Sequence, residues 1–163
     1  MPARQLSPVE VALGVSLAGC VVLSVAPAFL KNLRASRLSE PMERLGEIAS
    51  RATARAAGEP VESAYPGPAP LTPSIVPHGE LADDPPGTWE HSTWRLLGFR
   101  LEVPHAYSYA FESKNGPERS SFEATAKGDL DGDGSTSTFV ISGDYPRNGV
   151  PVVGPLSMHR EVE

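Results

Sequence analysis

The amino-acid sequence predicts an α+β protein in which a long N-terminal hydrophobic helix is followed by a small antiparallel β-sheet domain. Three patterns indicate this fold class. Residues 11–30 contain no charged side chain. Apolar residues then recur mostly at spacings of three and four as far as residue 52, which is typical of an amphipathic helix. After residue 88 apolar and polar residues alternate, with β-branched and aromatic enrichment that favours strands.

The uncharged run is long enough to cross a membrane. Twenty residues in a helix extend about 30 Å, which matches the hydrocarbon core of a bilayer. Glu10 precedes the run and Pro27 lies inside it. Membrane helices tolerate proline, although it removes a backbone donor and loosens the preceding turn. We therefore expect a transmembrane part of the helix over 6–30, preceded by a short leader-like segment over 1–5.

The amphipathic pattern predicts that the helix continues over 31–57 after it leaves the membrane. Its apolar stripe consists of Leu30, Leu33, Leu38, Met42, Leu45, Ile48 and Ala52. Pro41 interrupts this helix, and Ser39 is placed to cap a restart there, because proline fits the first turn of a helix. We expect the stripe to pack on the C-terminal domain.

A proline-rich segment over 58–87 connects the helix to that domain. Eight prolines fall between residues 59 and 87. Proline at this density excludes a regular helix or a central strand. The composition alone suits a disordered spacer. Because Leu71, Ile75, Val76 and Leu81 are interspersed, we prefer an irregular segment that lies over the domain.

The remaining residues, 88–163, are predicted to form the antiparallel β domain. The strand-like stretches are 95–103, 105–113, 120–128 and 137–145. Asn115-Gly116 lies between two of them and is a hairpin signal. The simplest arrangement is a meander of three or four strands. The large aromatic residues Trp89, Trp94 and Phe99 are expected to fill the junction between this sheet and the helix.

Charge is distributed unevenly along the chain. Residues 1–57 hold seven basic and four acidic residues, net +3, whereas residues 58–163 hold seven basic and sixteen acidic residues, net −9. The acidic part would repel nucleic acid, so we expect no nucleic-acid partner.

Catalytic patterns are absent from the sequence. The histidines His78, His91, His105 and His159 are scattered without metal-ligand spacing. His91-Ser92 and Asp83-Asp84 are interpreted as surface polar residues. Cys20 is the only cysteine, which precludes an intrachain disulfide, and it lies in the apolar run as a small hydrophobic residue. We therefore expect no enzyme.

The N-terminal segment combines several features at fixed spacing. An apolar residue, a serine, two apolar positions and an acid occur as Leu6, Ser7, Pro8, Val9 and Glu10. Pro27 follows seventeen residues after Glu10, and 26–40 reads APAFLKNLRASRLSE, a phenylalanine-containing exit with basic residues. This segment of about 35 residues resembles the type IV pilins and the related type II secretion pseudopilins.

The resemblance implies a structural subunit, a minor one by our reading, of a type IV pilus or related filament. In that family the glutamate, here Glu10, neutralises the N-terminal amine of a neighbouring subunit, and the proline, here Pro27, marks a segment that loosens in the filament. Other pilin subunits would be the partners. The subunit would span the bacterial inner membrane once, with its C-terminal domain in the periplasm, and would reach the cell surface on assembly.

Two alternatives stay open beside the pilus subunit. One is a pseudopilin of a type II secretion system. The other is a membrane-anchored extracytoplasmic module that binds calcium or another protein. The leader leaves two outcomes as well. The family has glycine before the first mature residue, whereas Gln5 stands there in this chain and Leu6 replaces the usual phenylalanine. The leader is therefore either cleaved between them or retained.

An aspartate-rich stretch follows the third strand-like segment. The residues at alternate positions are Asp129, Asp131, Asp133 and Ser135. This spacing is that of the first half of a calcium loop, where alternate oxygen ligands converge on Ca²⁺. The bidentate glutamate that ends such loops is missing, since Val140 stands in its place. Asp-Gly repeats are equally typical of β-turns. The stretch is predicted to be a weak calcium site or a glycine-rich turn.

Overall fold

The computed structural model describes residues 39–159, except for the side chain of the last of them. These residues belong to one compact unit, Arg37–Glu163. Helix α1 is described over 39–56. A short 3-10 helix, Val61–Ser63, and helix α2, Ser92–Leu97, are the other helical elements described. The strands are β1 Ala69–Thr72, β2 Tyr107–Lys114, β3 Arg119–Gly128, β4 Ser137–Pro146, β5 Val152–Val153 and β6 Ser157–His159.

Helix α1 buries one stripe and ends just before a glycine. The buried positions recur every three or four residues, as an amphipathic helix requires. They are Pro41, Leu45, Ile48, Ala49, Ala52 and Ala56. The helix ends where Gly58 donates its backbone N–H to the carbonyl of Arg55 at 3.0 Å, a tightened last turn that satisfies a terminal carbonyl.

The six strands form one antiparallel sheet. The strand order is β1-β2-β3-β4-β5, and β6 also pairs with β4. Tyr109 of β2 lies opposite Ala126 of β3, which lies opposite Phe139 of β4. All three are buried, because alternate residues of a strand share one face of the sheet. This inner face and the stripe of α1 belong to the same hydrophobic core.

Small residues on the inner face make room for aromatic rings. A Cβ on Gly143 would come within 2.1 Å of the Phe122 ring, and one on Gly128 within 2.5 Å of the Tyr107 ring. Each ring therefore lies over the glycine of the neighbouring strand, which lets large side chains pack on a small sheet.

An aromatic cluster fills the core beside α2. Trp89 contacts Trp94 and Phe99 with ring centroids 5.6 and 5.3 Å apart, and Phe99 contacts Tyr109 at 5.7 Å. Edge-to-face contacts of this kind add to the stabilisation from burial. Trp94 also donates its indole N–H to the Thr72 hydroxyl at 2.9 Å, which attaches β1 to α2.

Both borders of the sheet carry prolines. Pro70 lies within β1, and Pro73 follows it directly. At the other border Pro151 precedes β5, and Pro155 separates β5 from β6. Proline cannot donate to a ladder, so these positions suit edge strands only.

The predicted fold class is wrong on two counts. The sheet has six strands instead of three or four. Among residues 39–159 there is no helix with the length and apolar character needed to cross a membrane. The leader-like segment predicted over 1–5 and the transmembrane part predicted over 6–30 lie outside the described residues. The three extra strands have two to four residues each, which is too short to show a period of two in the sequence.

The strand predicted over 95–103 is also wrong. Residues Ser92–Leu97 form helix α2 instead, and its N-terminus is capped by the His91 side chain, which accepts from the backbone N–H of Thr93 at 3.3 Å. Gly98 ends the helix in the left-handed conformation at φ 62°. By contrast, the strands predicted over 105–113, 120–128 and 137–145 are confirmed as β2, β3 and β4.

The hairpin between β2 and β3 is present, but its turn differs from the one expected. Four residues, 115–118, separate the two strands. The Asn115 side chain accepts from the backbone N–H of Tyr65 at 3.2 Å and donates to the Tyr65 carbonyl at 2.8 Å. The Asn115 side chain therefore connects the β2–β3 hairpin to Tyr65 of the proline-rich segment.

Candidate functional site

Part of the predicted site lies outside the described residues. Glu10 and Pro27, predicted for assembly, and Gln5 and Leu6, predicted for leader cleavage, all precede residue 39. The structure therefore bears only on the aspartate loop and on the surfaces of the domain.

The predicted aspartate ligands do come together. Asp129 directly follows β3, and Asp131 and Asp133 lie in the loop before β4. One carboxylate oxygen from each lies within 4.8 Å of the other two. Asp129 is buried, whereas Asp131 and Asp133 are exposed. Three convergent carboxylates are a donor set that suits a hard cation such as Ca²⁺.

Hydrogen bonds already hold the buried carboxylate. Asp129 accepts from the backbone N–H groups of Gly132 at 2.8 Å and Gly134 at 2.9 Å. Its Oδ2 also lies 2.7 Å from Nδ1 of His78. Burial alone would raise the pKa of Asp129, but the bonds from His78 and these two N–H groups outweigh it and lower the pKa below its usual value.

The exposed half of the loop is built from turns. Asp131 accepts from the N–H of Asp133 at 3.3 Å, and Asp133 accepts from the N–H of Ser135 at 2.6 Å. Gly132 and Gly134 have φ of 75° and 89°, so the loop needs glycine at both positions. The backbone of Ser135 thus supports the loop, and the described contacts assign no ligand role to its hydroxyl.

His78 joins the loop from the proline-rich segment. The residue forms a parallel bridge with Asp129, and the next residue, Gly79, donates its N–H to the Asp129 carbonyl at 2.7 Å. Nothing in local sequence spacing connects residues 51 positions apart. His78 was therefore missed as a partner of the loop.

A second carboxylate, half-buried, anchors the start of α1. Glu40 accepts from the backbone N–H of Ala106 at 3.0 Å and from the Tyr109 hydroxyl at 3.1 Å. Burial, together with the negative charge of Glu40 and its hydrogen bond, raises the pKa of Tyr109 well above its ordinary value. This contact fixes the first turn of the helix to β2.

A third polar cluster lies under the proline-rich segment. Asp84 accepts from the indole N–H of Trp89 at 2.6 Å, and its Oδ2 lies 2.9 Å from Nε2 of His105. The other ring nitrogen of His105 lies 2.7 Å from the Tyr107 carbonyl. Both nitrogens of this buried histidine are engaged, so the cluster serves to hold the segment in place. The interpretation of Asp84 as a surface residue is wrong, whereas Asp83 is exposed.

Comparisons with known proteins give no relative. No family model matches the chain, and no curated protein or solved structure is similar enough to count as a match.

Proposed function

We propose that this chain is a structural subunit of a type IV pilus or a related filament, acting as a minor subunit rather than an enzyme. The observation that carries the proposal is the position of α1. This helix packs its apolar stripe on the inner face of an antiparallel sheet. It also begins within nine residues of the uncharged run 11–30 in the chain. Helix α1 would therefore hold the β domain close to the membrane or filament in which the run 11–30 is embedded.

The roles of the N-terminal residues follow from the sequence resemblance. Glu10 would neutralise the N-terminal amine of a neighbouring subunit, and Pro27 would mark the segment that loosens on assembly. The partners would be other pilin subunits. Before assembly the run 11–30 would hold the subunit in the bacterial inner membrane with its domain in the periplasm, and after assembly the domain would lie on the cell surface.

A second candidate is a membrane-anchored extracytoplasmic module that binds calcium. The convergence of the Asp129, Asp131 and Asp133 carboxylates within 4.8 Å favours it. A pseudopilin of a type II secretion system is a third candidate and shares the assembly principle of the first. An anchored module should stay monomeric in the membrane, whereas both kinds of pilin should enter assemblies of many copies.

The test compares Glu10→Ala with Glu62→Ala in the full chain produced in a host that assembles pili. Glu62 is exposed in the 3-10 helix and serves as the matched control. Glu10→Ala should remain in the membrane fraction but be depleted from sheared filaments, because its proposed partner is the amine of the next subunit. Glu62→Ala should enter filaments like the wild type. Normal incorporation of Glu10→Ala into filaments would contradict the pairing role of Glu10. A wild-type chain that never enters an assembly would contradict the filament function.

A further inference from the structure

The chain contains two Asn-Gly dipeptides, and both lie in turns of the sheet. Asn115-Gly116 belongs to the turn between β2 and β3, and Asn148-Gly149 belongs to the turn between β4 and β5. Both asparagines are exposed. The dipeptide is reactive because glycine has no Cβ, which leaves its backbone nitrogen accessible to the side-chain amide of the preceding asparagine. The fold thus holds two potential sites for the same modification.

Hydrogen bonds immobilise the first asparagine. The Asn115 side chain accepts from the backbone N–H of Tyr65 at 3.2 Å and donates to the Tyr65 carbonyl at 2.8 Å. Its oxygen and its nitrogen are therefore both engaged, which fixes the orientation of the amide. Rotation of this amide towards the nitrogen of Gly116 would break both bonds.

The second asparagine is unrestrained. Asn148 lies among exposed turn residues, and its side chain makes no hydrogen bond to any residue that the structure describes. The glycine N–H groups of the two dipeptides are both engaged. That of Gly149 donates to the Pro146 carbonyl at 3.0 Å. That of Gly116 donates to the Ser120 hydroxyl at 3.1 Å. The two sites therefore differ in the asparagine side chain and not in the glycine nitrogen.

We propose that Asn148 is a site of spontaneous deamidation in the folded protein, and that the fold protects Asn115 from the same reaction. The inference does not depend on the proposed filament function. Local opening of the exposed turn releases the N–H of Gly149 from its hydrogen bond. Its nitrogen then loses a proton to hydroxide and attacks Cγ of Asn148.

The reaction exchanges ammonia for water. A C–N bond forms between the Gly149 nitrogen and Cγ of Asn148, which closes a cyclic succinimide. The bond from Cγ to Nδ2 breaks, and Nδ2 takes up a proton from water and leaves as ammonia, which regenerates the hydroxide. Water then opens the ring. Opening at Cγ gives aspartate, whereas opening at the backbone carbonyl gives isoaspartate, in which the chain runs through the former side chain.

The modification changes both the charge and the chain length at this turn. A neutral amide becomes a carboxylate directly beside Arg147, which pairs with Glu118 at 2.7 Å. Isoaspartate also adds a methylene to the backbone between β4 and β5. Strand β5 has two residues and pairs with Gly143 and Asp144 of β4. The structural effect is therefore expected at this edge of the sheet, away from the core.

The test is mass spectrometry of the full-length chain in detergent, incubated at mildly alkaline pH in water labelled with heavy oxygen. Asparagines that react during the incubation take up the label, and digestion in ordinary water leaves later events unlabelled. Labelled aspartate and isoaspartate should accumulate several-fold faster at position 148 than at position 115. The control is the same chain unfolded in concentrated urea. There the two rates should be similar, because both side chains are released.

A pair of variants provides a second measurement. Asn148→Gln should abolish most of the acidic species that isoelectric focusing resolves in aged wild-type chain, since glutamine closes a larger ring and reacts more slowly. Asn115→Gln is the matched variant and should leave those species in place. Equal rates at the two positions in the folded chain would overturn the proposal. Acidic species that form at the wild-type rate in Asn148→Gln would overturn it as well.

Discussion

Glu40 and Tyr109 are joined by a hydrogen bond of 3.1 Å between a helix and a strand that lie 69 residues apart in the chain. The tyrosine is completely buried, and the carboxylate accepts from its hydroxyl and from a backbone N–H of the same strand region. A charged acceptor makes such a bond stronger than a neutral one. This pair therefore fixes α1 on the sheet with a defined register along the helix, which apolar packing alone does not provide.

Removing the Tyr109 hydroxyl should destabilise the domain. Tyr109→Phe is expected to lower the free energy of unfolding by about 1.5–3 kcal/mol, the range for hydrogen bonds to charged groups. Tyr107→Phe is the matched control, since the Tyr107 hydroxyl is buried without a hydrogen-bond partner among the described residues. That variant should be neutral or more stable, because it removes an unsatisfied polar group. Urea denaturation of the full chain in detergent measures both, and equal effects would contradict the role of Glu40.

Stability should fall at alkaline pH. Burial, followed by the nearby charges of Asp144 and ionised Tyr145, raises the pKa of Tyr65 to about 12. Burial raises the pKa of Tyr107 and Tyr109 as well. Each buried tyrosine has a folded-state pKa above its unfolded value of about 10, and therefore contributes to the free energy of unfolding. That contribution is complete below pH 10 and is lost as pH rises through the folded-state pKa.

Tyrosinate absorbance and circular dichroism, followed together, measure this dependence. Most of the tyrosinate signal should appear together with the loss of native dichroism, because three of the four tyrosines are buried. Tyr65→Phe should lower the tyrosinate absorbance that appears on unfolding by the amount expected for one tyrosine. Ionisation of Tyr65, Tyr107 and Tyr109 near their ordinary pKa in a chain that stays folded would contradict the prediction.

Alanine substitutions at the neighbouring residues Asp84 and Asp83 should have very different effects on the stability of the domain. Asp84→Ala leaves the buried His105 ring and the Trp89 indole N–H without their carboxylate, and should cost about 1–3 kcal/mol for each buried group that loses its hydrogen-bond partner. Asp83→Ala removes an exposed side chain and should change stability by no more than about 0.5 kcal/mol. Thermal denaturation of both variants provides the comparison. A similar melting temperature for the two variants would show that the Asp84 contacts contribute little.

Calcium should stabilise the domain if the aspartate loop binds it as the sequence predicts. With a dissociation constant of about 10⁻⁴–10⁻³ M, millimolar calcium adds about 0.4–1.4 kcal/mol, a few degrees in melting temperature. Asp131→Asn should reduce the gain, and magnesium should substitute poorly because it requires tighter octahedral geometry. Asp144→Asn, on β4 outside the loop, is the control. A melting temperature indifferent to calcium and to chelator would leave the loop as a turn held by His78.

The central strands were predictable because each is long enough to show its own period. β3 and β4 have ten residues each, and their buried positions alternate as the sequence does. Helix α2 was not predictable in this way, since six residues show less than two helical turns of pattern. Leu96 and Leu97 fall in the stretch predicted as a strand, whereas Gly98 directly after them is the sequence signal that indicates a helix C-terminus.

The same distinction applies to the site. Asp129, Asp131 and Asp133 could be grouped from sequence because loop ligands are close in the chain. The partners of the Asp84 and Glu40 carboxylates could not. Asp84 meets His105 across 21 residues and Glu40 meets Tyr109 across 69, and only the tertiary fold decides such contacts. Local spacing thus identifies turns and loop sites, while buried polar pairs between distant segments require the structure.

The prolines at both borders of the sheet have a consequence wherever copies of this domain are crowded together. An unprotected sheet edge at high local density recruits further strands and converts to amyloid-like stacks. Pro70 in β1 and Pro151 beside β5 remove the N–H donors on which such recruitment depends. Crowded copies of this domain are therefore directed away from edge-to-edge growth, and association is left to the faces formed by side chains.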